Sequence, residues 1–262
     1  MTPLQMIMAV CSGSVVGLSL GLIGGGGSIL AVPLMVYVVG LSSPHLAIGT
    51  SAVAVGVNAF INLISHARDG NVKWRCALTF ASFGVIGAAV GAQIGKSVDG
   101  GKLLSAFGVL MIVVAGLMLV PRKGGEDASV RLDRKSWKKL FPSLGGTGFG
   151  VGALSGFFGI GGGFLIVPGL VSATSMPLLN AIGSSLVSVA AFGATAAISY
   201  ATSGLVNWTV AVLFVVGGAF GGALASALQI ACHPESIHSP WYSALLWHWL
   251  DFMLLCAESL AR

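Results

Sequence analysis

Long apolar runs alternate with short polar clusters along this chain, and most of the runs are long enough to be membrane-crossing helices. Helical spans are predicted at 4–22, 45–66, 76–95 and 103–120, then at 143–158, 178–202, 207–229 and 240–257. A hydrocarbon core of roughly 30 Å needs about 20 apolar residues as helix. Barrel strands would show alternating segments of about ten residues, and runs such as 107–120 do not alternate. Two shorter segments, 28–39 and 164–174, are left over. At 1.5 Å per residue the first covers only about 18 Å. Each is read as a half-helix, or re-entrant piece, that follows a glycine break.

Charge placement agrees with this pattern. No Asp, Glu, Lys or Arg precedes Arg68, and none falls between Leu140 and Pro234. The middle charges gather around Arg68–Arg75, around Lys96–Lys102, and in a run from Arg122 to Lys139 that holds seven Lys/Arg. Basic residues in short loops mark the cytoplasmic side of a membrane protein. Placing both basic loops inside, with an even number of spans per half, puts the N-terminus in the cytoplasm and makes the halves parallel. If the half-helices cross fully, the halves are inverted; the sequence leaves both arrangements open.

Composition narrows the class. Of 262 residues, 55% are hydrophobic and 8% charged, against roughly 25% charge in soluble domains. A soluble globule and a disordered chain are both excluded. The net charge of +5 needs no nucleic-acid partner, because basic loops beside anionic headgroups account for it. The four cysteines lack CxxC spacing, so neither a metal site nor a disulfide framework is expected.

The chain also repeats itself. GSVVGLSLGLIGGGGSILAVP at 13–33 matches GFGVGALSGFFGIGGGFLIVP at 148–168 in ten of 21 positions. Ile48-Gly49-Thr50-Ser51 recurs as Ile182-Gly183-Ser184-Ser185, and Gly70-x-Val72-x-Trp74 as Gly204-x-Val206-x-Trp208. The organisation is a first membrane repeat at 1–120, a basic cytoplasmic linker at 121–141 and a second repeat at 142–262. The fold class is all-α: a polytopic helical membrane protein of about eight spans in two tandem repeats.

The candidate site follows from the breaks. Four consecutive glycines hold a helix poorly, at about 1 kcal/mol each relative to alanine. Irregular backbone at membrane depth must line a protein cavity, and the helix that restarts there offers free N–H groups and a positive dipole end to an anion. The substrate-binding candidates are Gly24, Gly25, Gly26, Gly27 and Ser28, with Gly159, Gly161, Gly162 and Gly163 opposite. Thr50, Ser51, Ser184 and Ser185 join them because they recur in both halves. The competing role for these hydroxyls is a bond to helix backbone. Asn58, Asn62, Gln93 and Ser188 are further polar residues within spans; Phe192 aligns with Asn58. His45 and His66, at span ends, read as interfacial. Asp251 is the one carboxylate within a predicted span. The glycine series Gly13/Gly17/Gly21, Gly87/Gly91/Gly95 and Gly217/Gly221 reads as close helix packing.

No catalytic constellation is present. Gly95-Lys96-Ser97 lacks the upstream glycine of a P-loop, since Val90 stands there.

The paired order of glycine break, proline-containing apolar stretch, G[TS]S and GxVxW resembles the TauE/SafE sulfite exporter family, over residues 1 to about 229. The resemblance implies a multi-pass permease of the bacterial inner membrane that moves small anions, chiefly sulfur oxyanions and organosulfonates, without a cofactor. Its partners would be the lipid bilayer and that anion. A channel or permease for another small solute, and a non-transporting accessory subunit, are the alternatives. The segment 230–262 is atypical for such a family, with three of the six tryptophans concentrated there.

Overall fold

The computed structural model describes residues 3–119, 137–159, 161, 163–174 and 176–231. The predicted eighth span, Asp251 and most of the basic linker lie outside the described residues.

Every described element is helical. The first repeat holds α1 (Pro3–Ile23), a 3-10 run (Gly24–Leu30), α2 (Ala31–Pro33) and a π-helical turn (Leu34–Val38). It continues through α3 (Pro44–Arg68), α4 (Trp74–Ser97) and α5 (Gly100–Leu119). The second repeat holds α6 (Trp137–Phe158), α7 (Gly163–Thr174), α8 (Leu178–Thr202) and α9 (Trp208–Ala231). Local chemistry sets the ends. Pro44 opens α3, where its missing N–H costs nothing. Gly70 (φ 73°) and Gly204 (φ 70°) take left-handed turns after α3 and α8 at equivalent positions.

The exterior is apolar. Phe220 is 71% exposed and Ile198 67%, with Ile7 and Val109 at 62% each. Such a surface is covered by lipid in a chain with five helical segments long and apolar enough to cross a membrane among its described residues. The interior is held by small residues that let backbones touch. A methyl group on Gly13 would overlap Phe214, one on Gly17 would overlap Gly218, and one on Gly21 would overlap Ala225. The second repeat repeats the arrangement: Gly148 lies on Phe80, Gly152 on Gly84 and Gly156 on Ala88. Both registers rise together, so α1 runs parallel to α9, and α6 to α4. Gly87, Gly91 and Gly95 lie on Phe149, Ala153 and Phe157, and Gly217 and Gly221 on Val10 and Ser14. These glycines serve packing.

One of the two repeat arrangements is now decided. The equivalent helices α3 and α8 cross at Gly56 and Gly193, while Gly49 sits against Tyr200 and Leu205, and Gly183 against Asn71. They are therefore antiparallel. A two-fold relation that exchanges antiparallel helices lies across them, so the repeats are inverted.

The physical reason is the return limb in each half. The 36 residues Pro3–Val38 would span about 54 Å as one straight α-helix, far beyond a bilayer. Instead the chain reverses at Gly24 (φ 69°), Gly27 lies beside Ser19 and Leu20, and Gly40 returns to the level of Gln5. In the second repeat α7 folds back along α6, with Gly169 facing Val151. In the first half this extra traverse makes the number of passes odd, with α1, the return limb, α3, α4 and α5 crossing in turn. Pro3 and the Arg68 turn consequently lie at opposite ends of the bundle, where an even number of spans would have put them together. Leu119 and Trp137 both lie toward the Arg68 end; Pro44, Val98 and Gly100 share the other.

Candidate functional site

The breaks form the tips of two hairpins that enter the bundle from opposite ends. In the first, one left-handed glycine, Gly24, ends α1, and the backbone rewinds at once as a 3-10 helix through Leu30. The glycine break is thus confined to a single residue, and Gly25, Gly26 and Gly27 already belong to the restarting helix. In the second, Gly159 (φ 63°) and Gly161 (φ 69°) are both left-handed, and α7 restarts at Gly163. Only glycine adopts these angles without strain.

The tips meet. A methyl group on Gly25 would overlap the backbone of Gly163, and one on Gly163 would overlap Gly25. Each tip also abuts the other half: Gly24 lies against Ile182 and Gly159 against Ile48, positions equivalent in the duplication. Gly161 sits between Val189 and Val55, a methyl there lying 3.1 and 3.2 Å from their Cγ1 atoms.

The recurring hydroxyls hold this junction across the two halves. Gly25 N–H donates to Ser185 Oγ at 3.3 Å, and Ser51 Oγ reaches the Gly159 carbonyl at 3.3 Å. Each serine also lies within bonding distance of its own helix carbonyl, Ser185 to Ile182 at 2.7 Å and Ser51 to Ile48 at 2.9 Å. Ser28 Oγ donates to Gly25 O at 2.8 Å and braces the first tip. Thr50 and Ser184 act one residue away. Asn207 N–H donates to Thr50 Oγ1 at 3.0 Å, and Lys73 N–H to Ser184 Oγ at 2.9 Å. Asn207 and Lys73 immediately precede α9 and α4, so each G[TS]S motif secures the helix start that carries the GxVxW tryptophan of the other repeat.

Gly24–Ser28, Ser51, Gly159, Gly161, Gly163 and Ser185 are thus brought together at the tips beside α3 and α8, whereas Thr50 and Ser184 stand toward opposite ends of that pair, at Asn207 and Lys73; all are buried. Gly162 lies outside the described residues. Ile48 and Ile182, which head the repeated motifs, also wall the candidate site, against Gly159 and Gly24; their recurrence is the signal in the sequence. His66, expected at an interface, is buried instead, and its Nε2 lies 3.2 Å from the Gly21 carbonyl, just before the first tip. His45 stays near the opposite end, with Nε2 3.1 Å from Val98 O.

The sequence signature described as sulfite exporter TauE/SafE matches residues 9–244. The chain belongs to this family. A relative from Xylella fastidiosa, named a probable membrane transporter protein, is 51% identical, the match covering 87% of this chain and 86% of its own. The Bacillus subtilis probable membrane transporter protein YunE is 26% identical, with 89% and 92% covered. The Methanocaldococcus jannaschii probable membrane transporter protein MJ0441 is 27% identical, with 76% and 74% covered. No solved structure matches the chain. This TauE/SafE protein is accordingly a multi-pass membrane transporter and not an enzyme.

Proposed function

We propose that the protein carries small anions, of the sulfite and organosulfonate class, through the junction of the two glycine tips. The observation that supports this reading is the burial of two backbone reversals against one another, Gly25 on Gly163, inside an apolar bundle. Reversals free main-chain N–H groups, and α7 starts its positive dipole end at Gly163. Ser51 and Ser185 supply hydroxyls at the same place, while Thr50 and Ser184 position the surrounding helix starts. The full set therefore remains Gly24–Ser28, Thr50, Ser51, Gly159, Gly161–Gly163, Ser184 and Ser185.

Orientation follows from charge. Ten of the 13 Lys/Arg are Arg68, Lys73, Arg75 and seven in the 122–139 run, whose flanks Leu119 and Trp137 lie toward the Arg68 end. In a bacterial inner membrane that end faces the cytoplasm by the positive-inside rule, and Pro3 faces the opposite side. Lys73 and Arg75 then concentrate anions at the cytoplasmic mouth. Leaving an inside-negative cell releases about 2.3 kcal/mol per negative charge per 100 mV.

Purified protein in liposomes provides the test. Sulfite, thiosulfate or a small sulfonate should cross faster than in protein-free vesicles, and an inside-negative potential should speed efflux. Vesicles that move none of these anions overturn the reading, as does transport confined to a neutral or cationic solute.

A further inference from the structure

The two repeats match in backbone but differ in one buried slot. At one slot a methyl group on Gly84 of the first repeat would overlap the ring of Phe192 of the second, which stacks on Phe80 with centroids 6.3 Å apart. At the mirror slot Gly218 of the second repeat lies beneath the side chain of Asn58 of the first. Asn58 is fully buried, and neither its Nδ2 nor its Oδ1 has a hydrogen-bond partner. Packing alone does not call for an amide here, because a phenyl ring fills the mirror slot. An unpartnered amide in an apolar interior is destabilising unless something completes its bonds.

Asn58 is one rung of a ladder. On the same face of α3 lie Ser51, Val55, Asn58, Asn62 and His66, at steps of three or four residues. Ser51 bonds the second tip at Gly159, and Val55 flanks Gly161. Asn62 Nδ2 donates to the Asn58 carbonyl at 2.9 Å, and Asn62 Oδ1 faces Gly21 and Gly222. His66 is 2% exposed and has an unpartnered Nδ1. The face thus leads from the glycine junction to the Arg68 end. Its counterpart on α8 reads Ser185, Val189, Phe192, Ala196 and Tyr200: apolar at the positions of Asn58 and Asn62, with the buried, unpartnered Tyr200 hydroxyl at the position of His66.

We propose that Asn58, Asn62 and His66 form the hydrogen-bonding half-pathway between the glycine junction and the Arg68 end, with the Asn58 amide bonding the passing oxyanion. Phe192 and Ala196 make the opposite half-pathway apolar. The two halves of the route are chemically unlike despite the inverted backbone. The oxyanion in this statement rests on the function proposed above; the wetted face does not.

Two measurements separate those claims. In full-length protein with Cys11, Cys76, Cys232 and Cys256 replaced by alanine, single cysteines are introduced as Asn58→Cys, Asn62→Cys, Phe192→Cys and Ala196→Cys. A water-soluble sulfonated methanethiosulfonate should label the two α3 positions at least ~10-fold faster than their α8 mirrors, since labelling tracks how often a site opens to water. Methanesulfonate, which unlike sulfite does not consume the reagent, should slow labelling at Asn58→Cys. If Asn58→Cys does not fold, Asn62→Cys against Ala196→Cys carries the comparison. In liposomes Asn58→Leu should lower sulfite flux about 10-fold, as loss of one bond to a charged group predicts, while Phe220→Leu, on the lipid-facing exterior, stays within about twofold.

Equal labelling of α3 and α8 positions overturns the ladder, even if sulfite is transported. Fast labelling of α3 in a protein that moves no anion upholds the wetted face and refutes the anion. Wild-type flux in a folded Asn58→Leu protein removes Asn58 from the route.

Discussion

Gly25 and Gly163 lie backbone against backbone, one from each repeat, with no room for a methyl group on either. Substituting alanine at either should push the hairpin tips apart. Overpacking of this kind costs about 1–3 kcal/mol, so Gly25→Ala and Gly163→Ala should lower the melting temperature in detergent and reduce anion flux together. Gly150→Ala is the control. It sits within α6 with open space around it, and alanine there should stabilise by up to about 1 kcal/mol. Flux unchanged in a folded Gly163→Ala protein would count against the junction as the site.

The hydroxyl caps reach across repeats, so their loss should be felt at the far helix. Thr50→Val leaves the Asn207 N–H unbonded, and Ser184→Ala does the same to Lys73. Each should cost about 1 kcal/mol, in the range of lost helix caps. The two sites lie at opposite ends of the bundle, and the double variant should be additive within about 0.5 kcal/mol. Chemical denaturation of the four proteins measures this; strong coupling would mean that the caps share a structure not described by these bonds.

Topology is checked without any substrate. Asp69→Cys, in the α3–α4 turn, should be shielded from membrane-impermeant thiol reagents in intact cells, and Ser42→Cys should react. A tag at the N-terminus should be readable from outside. The reverse pattern at all three positions would invert the orientation proposed from charge while leaving the inverted-repeat fold intact.

Lys96 holds the end of α8, with Nζ 3.2 Å from Ser199 O and 3.1 Å from Ser203 Oγ. A cation at a helix C-terminus contributes about 0.3–1 kcal/mol and is weakened by salt. Lys96→Met should therefore lower the melting temperature at low ionic strength, with the difference from wild type shrinking as salt rises. A salt-independent loss would mean that the side chain acts through packing.

Much of the fold was legible in the primary structure, for identifiable reasons. A 3.6-residue helix in lipid must be apolar from end to end, so the ends of α3, α4 and α8 fall within two residues of the predicted spans. Duplication singled out the candidate grouping. Residues separated by 134 positions recur as Ile48-Gly49-Thr50-Ser51 and Ile182-Gly183-Ser184-Ser185, and the serine that ends each set bonds a glycine tip of the other repeat. The task of Thr50 and Ser184 was not legible, because their partners Asn207 and Lys73 lie 157 and 111 residues away. The burial of His66 was not legible for a similar reason. A span end looks interfacial until α1 is seen to stop beside it and offer the Gly21 carbonyl.

Residue types and their order alone established a helical membrane bundle, its twofold duplication, and the two places where the helices must break. These properties depend on local energetics: the solvation of charge, the conformational freedom of glycine, the length of an apolar run. The tertiary structure decided where the chain goes after Gly24. Whether a glycine-broken segment continues across or turns back depends on what it packs against, and Gly27 finds Ser19 and Leu20. That reversal makes the passes of the first half odd, puts Pro3 and the Arg68 turn at opposite ends, and brings Gly25 onto Gly163.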